Sequence, residues 1–227
     1  MTPEIDVSVQ YGGGAPVYQR LLAILLLLTL NLGVGSSHAA DAPIRILALG
    51  DSLTAGLGLT QEQAIPAQLE KALRARGLNV AISNAGVSGD TSTGGLARLD
   101  WALADQPHAV ILELGANDGL RAIDPQLTRA NLDKILSTLK ARNIPVLLTG
   151  MVAPPNLGKD YATAFDAIYP DLAQRYGVLF YPFFLDGVAT DPKLNQEDGI
   201  HPNPKGVAVI VERLLPYVIR LIEGSKP

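Results

Sequence analysis

The stretch that decides the fold runs from Leu47 to Leu53 and reads Leu-Ala-Leu-Gly-Asp-Ser-Leu. It closes an apolar run that begins at Ile44 and ends abruptly at Gly50, and Ser52 follows two residues later. A short apolar run that stops at a glycine is typical of a buried β-strand. We therefore expect this strand to carry the hydroxyl of Ser52 to the end of a sheet.

Apolar runs alternate with helix-like segments along the rest of the chain. Between the runs, apolar residues recur at the spacing of one helix face, as at Leu69 and Leu73. This alternation predicts an α/β fold in which helices cover both faces of a parallel sheet. Ligands of such sheets bind beyond the carboxyl ends of the strands, where Ser52 is expected. Four further strands are predicted, at residues 80–82, 109–112, 145–148 and 178–180.

Composition narrows the range of functions. The chain has a net charge of −4 and no basic block, which argues against a nucleic-acid partner. It has no cysteine, so disulfides, thiolate metal sites and a cysteine nucleophile are excluded. A two-metal hydrolase would need more histidines or clustered carboxylates than this chain offers. The sequence therefore implies no metal and no cofactor.

The N-terminal segment is typical of a secretory signal peptide. Arg20 precedes an apolar core, and small residues follow it up to Ala39 and Ala40. A membrane anchor is the alternative, but it needs about 20 apolar residues, and this run breaks at Asn31. We interpret residues 1–40 as an N-terminal extension and signal peptide, cut near Ala39 or Ala40, and residues 41–227 as one folded domain. This predicts a periplasmic or secreted protein without stable membrane insertion after cleavage.

A nucleophilic serine needs a base within hydrogen-bond reach, and the base needs an orienting group. After signal cleavage the chain retains two histidines, His108 and His201. His108 precedes the third predicted strand, so it is expected at the end of the sheet opposite Ser52. His201 is therefore the candidate base. Asp198 stands three residues before it, a spacing that lets the carboxylate bend back to the imidazole, although a turn at a helix entry would have a similar composition.

The oxyanion that forms when an ester is attacked needs fixed hydrogen-bond donors. Three candidates follow predicted strands: the backbone N–H of Ser52, the backbone N–H of Gly89 and the side-chain amide of Asn117. Gly89 and Asn117 also lie in sequences that form good turns, Ser-Gly-Asp and Asn-Asp-Gly. These donors can form one oxyanion hole only if the segments that carry Ser52, Gly89 and Asn117 meet at one edge of the sheet.

Other catalytic motifs do not fit. The glycines at 56 and 58 are not continued as the dinucleotide-binding pattern, and no P-loop pattern occurs. Ser52 also lacks the G-x-S-x-G sequence of the α/β-hydrolase nucleophile elbow.

The four segments resemble the four sequence blocks of the GDSL, or SGNH, hydrolases. The matching stretches are Gly50-Asp51-Ser52-Leu53, Gly89, Gly115-Ala116-Asn117-Asp118 and Asp198-Gly199-Ile200-His201. Within that family the chain is similar to the periplasmic acyl-CoA thioesterase I, lysophospholipase L1 and arylesterase group. The resemblance implies a flavodoxin-like three-layer α/β/α sandwich with a mainly five-stranded parallel sheet.

The resemblance also implies an activity. It implies that Ser52, His201 and Asp198 hydrolyse carboxylic esters through an acyl-enzyme, with Ser52, Gly89 and Asn117 as the oxyanion hole. Thioesters and lysophospholipids are further candidate substrates. A carbohydrate acetylesterase is an alternative within enzymes. A non-catalytic binding module on the same fold is an alternative from another class. The expected partner is a small-molecule ester or acyl-chain substrate, and the sequence leaves the natural substrate and the oligomeric state open.

Two loops leave the sheet at the same edge as Ser52, at residues 119–123 and 152–157. Both mix apolar side chains with turn residues, as expected for the wall of a groove that holds an acyl chain. Alternatively, their apolar residues only cover the ends of helices. The predicted substrate-binding residues are Leu120, Ile123, Pro155 and Leu157.

Overall fold

The computed structural model describes Met1, Gly12 and residues 42–225. The predicted signal peptide and its cleavage site lie outside these described residues, apart from those two positions. None of the helices in the described ranges is long and apolar enough to cross a membrane.

Residues 42–225 contain one five-stranded sheet in which every pair of neighbouring strands is parallel. The strand order is β2-β1-β3-β4-β5, which is the order of flavodoxin-like sheets. The predicted fold class is confirmed, and the strand bounds shift by only a few residues. The strands are β1 Ile44–Gly50, β2 Val80–Gly86, β3 Ala109–Leu112, β4 Val146–Thr149 and β5 Leu179–Tyr181.

The helices follow the strands along the chain. Within the same range they are α1 Ser52–Ala55, α2 Ile65–Arg74, α3 Ser92–Ala97, α4 Leu99–Ala102, α5 Ala116–Leu120, α6 Pro125–Ala141, α7 Lys159–Asp166, α8 Ile168–Tyr176 and α9 Pro204–Gly224. Short 3₁₀ helices occupy Gln61–Gln63 and Pro155–Leu157.

The longer helices form two groups, as expected for two layers around a sheet. Helix α9 packs against α2, β4 and β5, whereas α6 packs against α3, α7 and α8. Strands β3 and β4 are buried along their whole length, because helices shield both of their faces. Burying these apolar strands stabilises the fold, since apolar burial contributes about 25 cal/mol per Å².

Strand β1 lies between β2 and β3, so it delivers Ser52 to the middle of the carboxyl edge. Helix α1 then crosses closely over the end of β2. A Cβ atom at Gly86 would lie 2.2 Å from the backbone nitrogen of Ala55, so only a glycine allows this approach. The close contact places Ser52 beside the loop that follows β2.

Candidate active site

Ser52 is the first residue of α1, and Asp51 caps that helix. The Asp51 carboxylate accepts a hydrogen bond from the Leu53 N–H at 3.0 Å, which satisfies one of the free donors of the first turn. Because α1 begins immediately after β1, the Ser52 side chain reaches the surface of a cleft while remaining only 8% exposed.

Ser52, His201 and Asp198 form a continuous chain of hydrogen bonds. The Ser52 Oγ lies 2.9 Å from His201 Nε2, and His201 Nδ1 lies 2.7 Å from Asp198 Oδ2. Both contacts are satisfied when Nδ1 carries the proton and donates to Asp198, which leaves Nε2 to accept from the serine. His108 is exposed and accepts from the Arg45 backbone N–H at 2.9 Å, at the amino end of the sheet.

The Asp198 carboxylate also receives two backbone hydrogen bonds. Its Oδ1 accepts from the N–H groups of Ile200 and His201, each at 3.0 Å. These bonds, together with the imidazole, lower the pKa of Asp198 to about 2. The carboxylate is therefore ionised at every pH above about 3, so it can stabilise a positive charge on His201.

The segment that carries Asp198 and His201 is closed by its own contacts. The Gln196 N–H donates to the His201 carbonyl at 2.8 Å, and Asn195 pairs with Pro202 in an antiparallel bridge. The Gln196 side chain then donates to the Leu57 carbonyl at 2.7 Å. This last contact ties the histidine segment to the loop that follows Ser52.

The three candidate oxyanion donors come together at the same cleft, which Ser52, Gly89 and Asn117 all line. Gly89 has a φ of +86°, a conformation that residues with a side chain rarely adopt. The Asn117 amide nitrogen donates to the Asp90 carbonyl at 3.0 Å and to Asp51 Oδ2 at 3.1 Å. The amide is thus held from two sides, with its plane defined by fixed acceptors.

Arg98 connects the loops that carry these donors, and the sequence analysis did not single it out. Its guanidinium donates to the carbonyl of Gly50 at 2.8 Å and to that of Ala85 at 2.8 Å. It also forms an ion pair with Asp90 at 2.6 Å. One side chain therefore fixes the ends of β1 and β2 and the start of the Gly89 loop relative to one another.

The cleft at Ser52 has a volume of about 590 Å³ and a mostly apolar lining. Two of the predicted substrate-binding residues, Leu120 and Pro155, belong to that lining. Ile123 and Leu157 do not. Ile123 lies beyond the turn at Ala122, and Leu157 ends the 3₁₀ helix, so neither reaches the cleft. Val152, in the predicted loop 152–157, also lines the cleft. Further apolar lining residues that sequence reasoning missed are Leu57, Met151, Phe183, Leu185 and Ile200.

Beneath Ser52 lies a group that we call the carboxyl floor, made of Asp51, Thr54 and Glu113. Each of them is at most 3% exposed. Glu113 Oε2 accepts from the Thr54 hydroxyl at 2.7 Å and from the Asp51 N–H at 3.1 Å. Burial raises the pKa of Asp51 to about 6, and burial beside the Asp51 charge raises that of Glu113 well above its usual value. One sequence signal could have revealed the floor: Glu113 is a lone carboxylate directly after the apolar run of β3.

The fold and the residues at its carboxyl edge place the chain in the class of SGNH hydrolases. More particularly, the chain belongs to the GDSL-like lipase/acylhydrolase family, whose model matches residues 48–209.

Similar proteins carry related names. An arylesterase of Vibrio mimicus is 42% identical over 194 residues, which cover 85% of this chain and 94% of the relative. Thioesterase 1/protease 1/lysophospholipase L1 of Escherichia coli K12 is 43% identical over 82% of this chain and 86% of its own. The crystal structure of TesA matches with a TM-score of 0.74 and 40% identity, covering 78% of this chain and 99% of that one.

Proposed function

We propose that the chain is a serine esterase of broad specificity that acts on acyl and aryl esters in the periplasm or outside the cell. The observation that carries this proposal is the hydrogen-bonded series Ser52–His201–Asp198 at the mouth of an apolar cleft. Acyl transfer requires a serine that is hydrogen-bonded to a histidine and lies beside hydrogen-bond donors for the oxyanion.

In the first half of the reaction, Ser52 Oγ attacks the carbonyl carbon of the ester while His201 Nε2 takes the hydroxyl proton. The carbonyl oxygen becomes an oxyanion, which the N–H groups of Ser52 and Gly89 and the amide of Asn117 stabilise. The intermediate then collapses, the bond to the leaving alcohol or thiol breaks, and His201 returns the proton to that group. The acyl chain remains bonded to Ser52.

In the second half, a water molecule replaces the alcohol. His201 takes a proton from the water as its oxygen attacks the acyl carbon, and the same donors stabilise the second oxyanion. Collapse breaks the bond to Ser52 Oγ, which recovers the proton from His201, and the carboxylic acid is released. Asp198 holds the imidazole and stabilises its positive charge in both halves.

The rim of the cleft supports substrates with an acyl chain. Leu57, Leu120, Val152 and Ile200 are between 45% and 56% exposed, and all four line the cleft. Exposed apolar side chains grouped around one cavity are typical of a surface that binds an apolar ligand. The names of the relatives suggest thioesters and lysophospholipids as further substrate classes. A carbohydrate acetylesterase would gain nothing from this apolar rim.

The proposed location follows from the N-terminal sequence alone. The apolar run after Arg20 and the small residues before Ala40 support export and cleavage. N-terminal sequencing of protein from the periplasm or the medium should find a start near Ala40 or Asp41. Retention of residues 21–30 in the mature protein would instead indicate a membrane anchor.

The activity is tested by the hydrolysis of p-nitrophenyl esters by the purified protein. We expect turnover that Ser52→Ala abolishes and that EDTA leaves unchanged. A folded wild-type protein without turnover on any ester would support the binding module. Activity that EDTA removes and a metal restores would overturn the serine mechanism.

A further inference from the structure

Asp51 and Glu113 form a buried carboxyl pair that the proposed mechanism does not use. Both are 0% exposed. Asp51 follows β1 and Glu113 follows β3, and these strands are neighbours with Leu49 opposite Leu112. The pair therefore lies at the carboxyl edge of the sheet, and its member Asp51 directly precedes Ser52.

The local backbone makes room for this pair. A Cβ atom at Gly50 would lie 2.4 Å from Glu113 Oε2 and 2.1 Å from the Thr54 hydroxyl. A residue with a side chain would therefore displace Glu113 or Thr54, so the glycine before Asp51 is required by the carboxyl group. Glu113 Oε2 accepts two hydrogen bonds, whereas Oε1 has no partner among the described residues.

Burial raises the pKa of both carboxyl groups, and the charge of Asp51 raises that of Glu113 further. Two neighbouring buried carboxylates repel each other, which disfavours a state in which both are ionised. Both oxygens of Asp51 accept N–H hydrogen bonds, and these bonds favour its ionised form.

The ionised member reaches the catalytic edge. Asp51 Oδ1 accepts from the Leu53 N–H and Oδ2 accepts from the Asn117 amide, at 3.0 and 3.1 Å. The first bond orients the turn that presents Ser52. The second holds the Asn117 amide, whose other N–H donates to the Asp90 carbonyl, so a hydrogen bond to the oxyanion must replace the one to Asp90 while Asp51 keeps the amide in place.

We propose that Asp51 and Glu113 are a positioning pair for the oxyanion hole, in which Glu113 holds the backbone N–H of Asp51 and the Asp51 carboxylate orients the Asn117 amide. This inference rests on the proposed esterase function. Neither residue touches substrate. Their effect passes through Asn117, and it belongs to the transition state, because only there does the substrate oxygen carry a full negative charge.

Asp51→Asn tests the pair with almost no change of shape. An asparagine offers one acceptor oxygen where two N–H donors, from Leu53 and Asn117, meet the carboxylate. One donor then faces an NH₂ group, and the amide of Asn117 loses its fixed position. We expect kcat to fall by part of the roughly 10²–10³-fold that one oxyanion donor contributes, with KM changed by less than about twofold.

A double-mutant cycle separates positioning from a structural effect. If Asp51 acts through Asn117, Asp51→Asn should lower kcat in the wild-type background and have little further effect in Asn117→Ala. Equal losses in both backgrounds would overturn the proposal. At Glu113, Glu113→Leu should lower kcat and Glu113→Gln should restore it, because the glutamine oxygen can still accept from the Asp51 N–H and the Thr54 hydroxyl. A Glu113→Gln enzyme as poor as Glu113→Leu would contradict this positioning role.

Two controls keep the outcomes distinct. Thermal unfolding of each variant shows whether a loss of kcat reflects loss of fold. Ser52→Ala and Asn117→Ala test the proposed function itself. If Ser52→Ala retains activity or Asn117→Ala has a normal kcat, the proposed mechanism fails. If both behave as expected and the cycle is additive, only the positioning pair fails.

Discussion

The carboxylate that contacts His201 and the carboxylate that directly precedes Ser52 occupy opposite environments. Asp198 lies in the loop above the site, with its side chain 43% exposed, and backbone N–H groups lower its pKa to about 2. Asp51 lies in the carboxyl floor with no exposed surface, and burial raises its pKa to about 6. Solvent and local hydrogen bonds decide the charge of the first, whereas packing decides that of the second.

The two environments correspond to two parts of the site. Contacts between residues close in sequence form the loop of Asp198 and His201, whereas tertiary packing forms the carboxyl floor. Asp198 reaches His201 across three residues, and the loop is closed by contacts between residues 195 and 202. The floor joins Asp51 to Glu113, which is 62 residues away in the chain. The two parts meet at the contact between Ser52 and His201.

The largest effect is expected where the two parts meet. Ser52→Ala and His201→Ala should each lower kcat by several orders of magnitude, because no other side chain can replace the nucleophile or the base. Asp198→Ala should cost roughly 10²-fold less than His201→Ala, since an unoriented imidazole still accepts a proton. Steady-state kinetics on one ester measures all three. His108→Ala, at the opposite end of the sheet, is the matched control and should keep wild-type kcat.

A smaller loss is expected at the amide above the floor. Asn117→Ala should lower kcat by roughly 10²–10³-fold with little change in KM, because the amide acts on the charge of the transition state. Comparing kcat and KM on one ester measures this. A normal kcat would remove Asn117 from the oxyanion hole.

The two carboxylates should also have opposite effects on stability. The raised pKa of Asp51 means that the folded state binds the proton more tightly, so the free energy of unfolding should fall as pH rises from about 4 to 6. The lowered pKa of Asp198 has the reverse effect, so stability should fall as pH drops from about 4 to 2.

Urea unfolding across pH 3–7 measures both trends. Asp51→Asn should reduce the loss of stability as pH rises above 4, by at most about 10² in the unfolding constant. Asp198→Asn should reduce the loss of stability as pH drops below 4. If Asp51→Asn retains the full wild-type decline between pH 4 and 6, the pKa of Asp51 is not raised and the decline belongs to Glu113.

The smallest effect concerns the apolar rim. Leu120 is 56% exposed at the cleft, and Leu127 is 48% exposed outside its lining. Each buried methylene contributes at most about 0.8 kcal/mol, so preference should rise with acyl length until the cleft ends. Leu120→Ser should shift the optimum towards short esters and leave acetate hydrolysis nearly unchanged, whereas Leu127→Ser should have no effect. Identical chain-length profiles would remove Leu120 from acyl binding.

The parts that sequence reasoning predicted are those with local signals. The strand before Ser52, the parallel sheet and the spacing of Asp198 and His201 all follow from short patterns. The carboxyl floor could not be predicted from a short pattern, because the contact of Asp51 with Glu113 depends on which strands are neighbours. The same limit explains Ile123 and Leu157, since a loop sequence does not specify which side chains turn towards the cleft.

The most direct test of a nucleophilic Ser52 is covalent labelling with a fluorophosphonate, followed by peptide mass spectrometry. Attack by Oγ on phosphorus displaces fluoride and leaves a stable phosphonyl serine, which mimics the tetrahedral intermediate. The account predicts one adduct, on the peptide that contains Ser52, with labelling lost in Ser52→Ala and strongly slowed in His201→Ala. Labelling that persists in Ser52→Ala, or an adduct on another residue of an active enzyme, would contradict it.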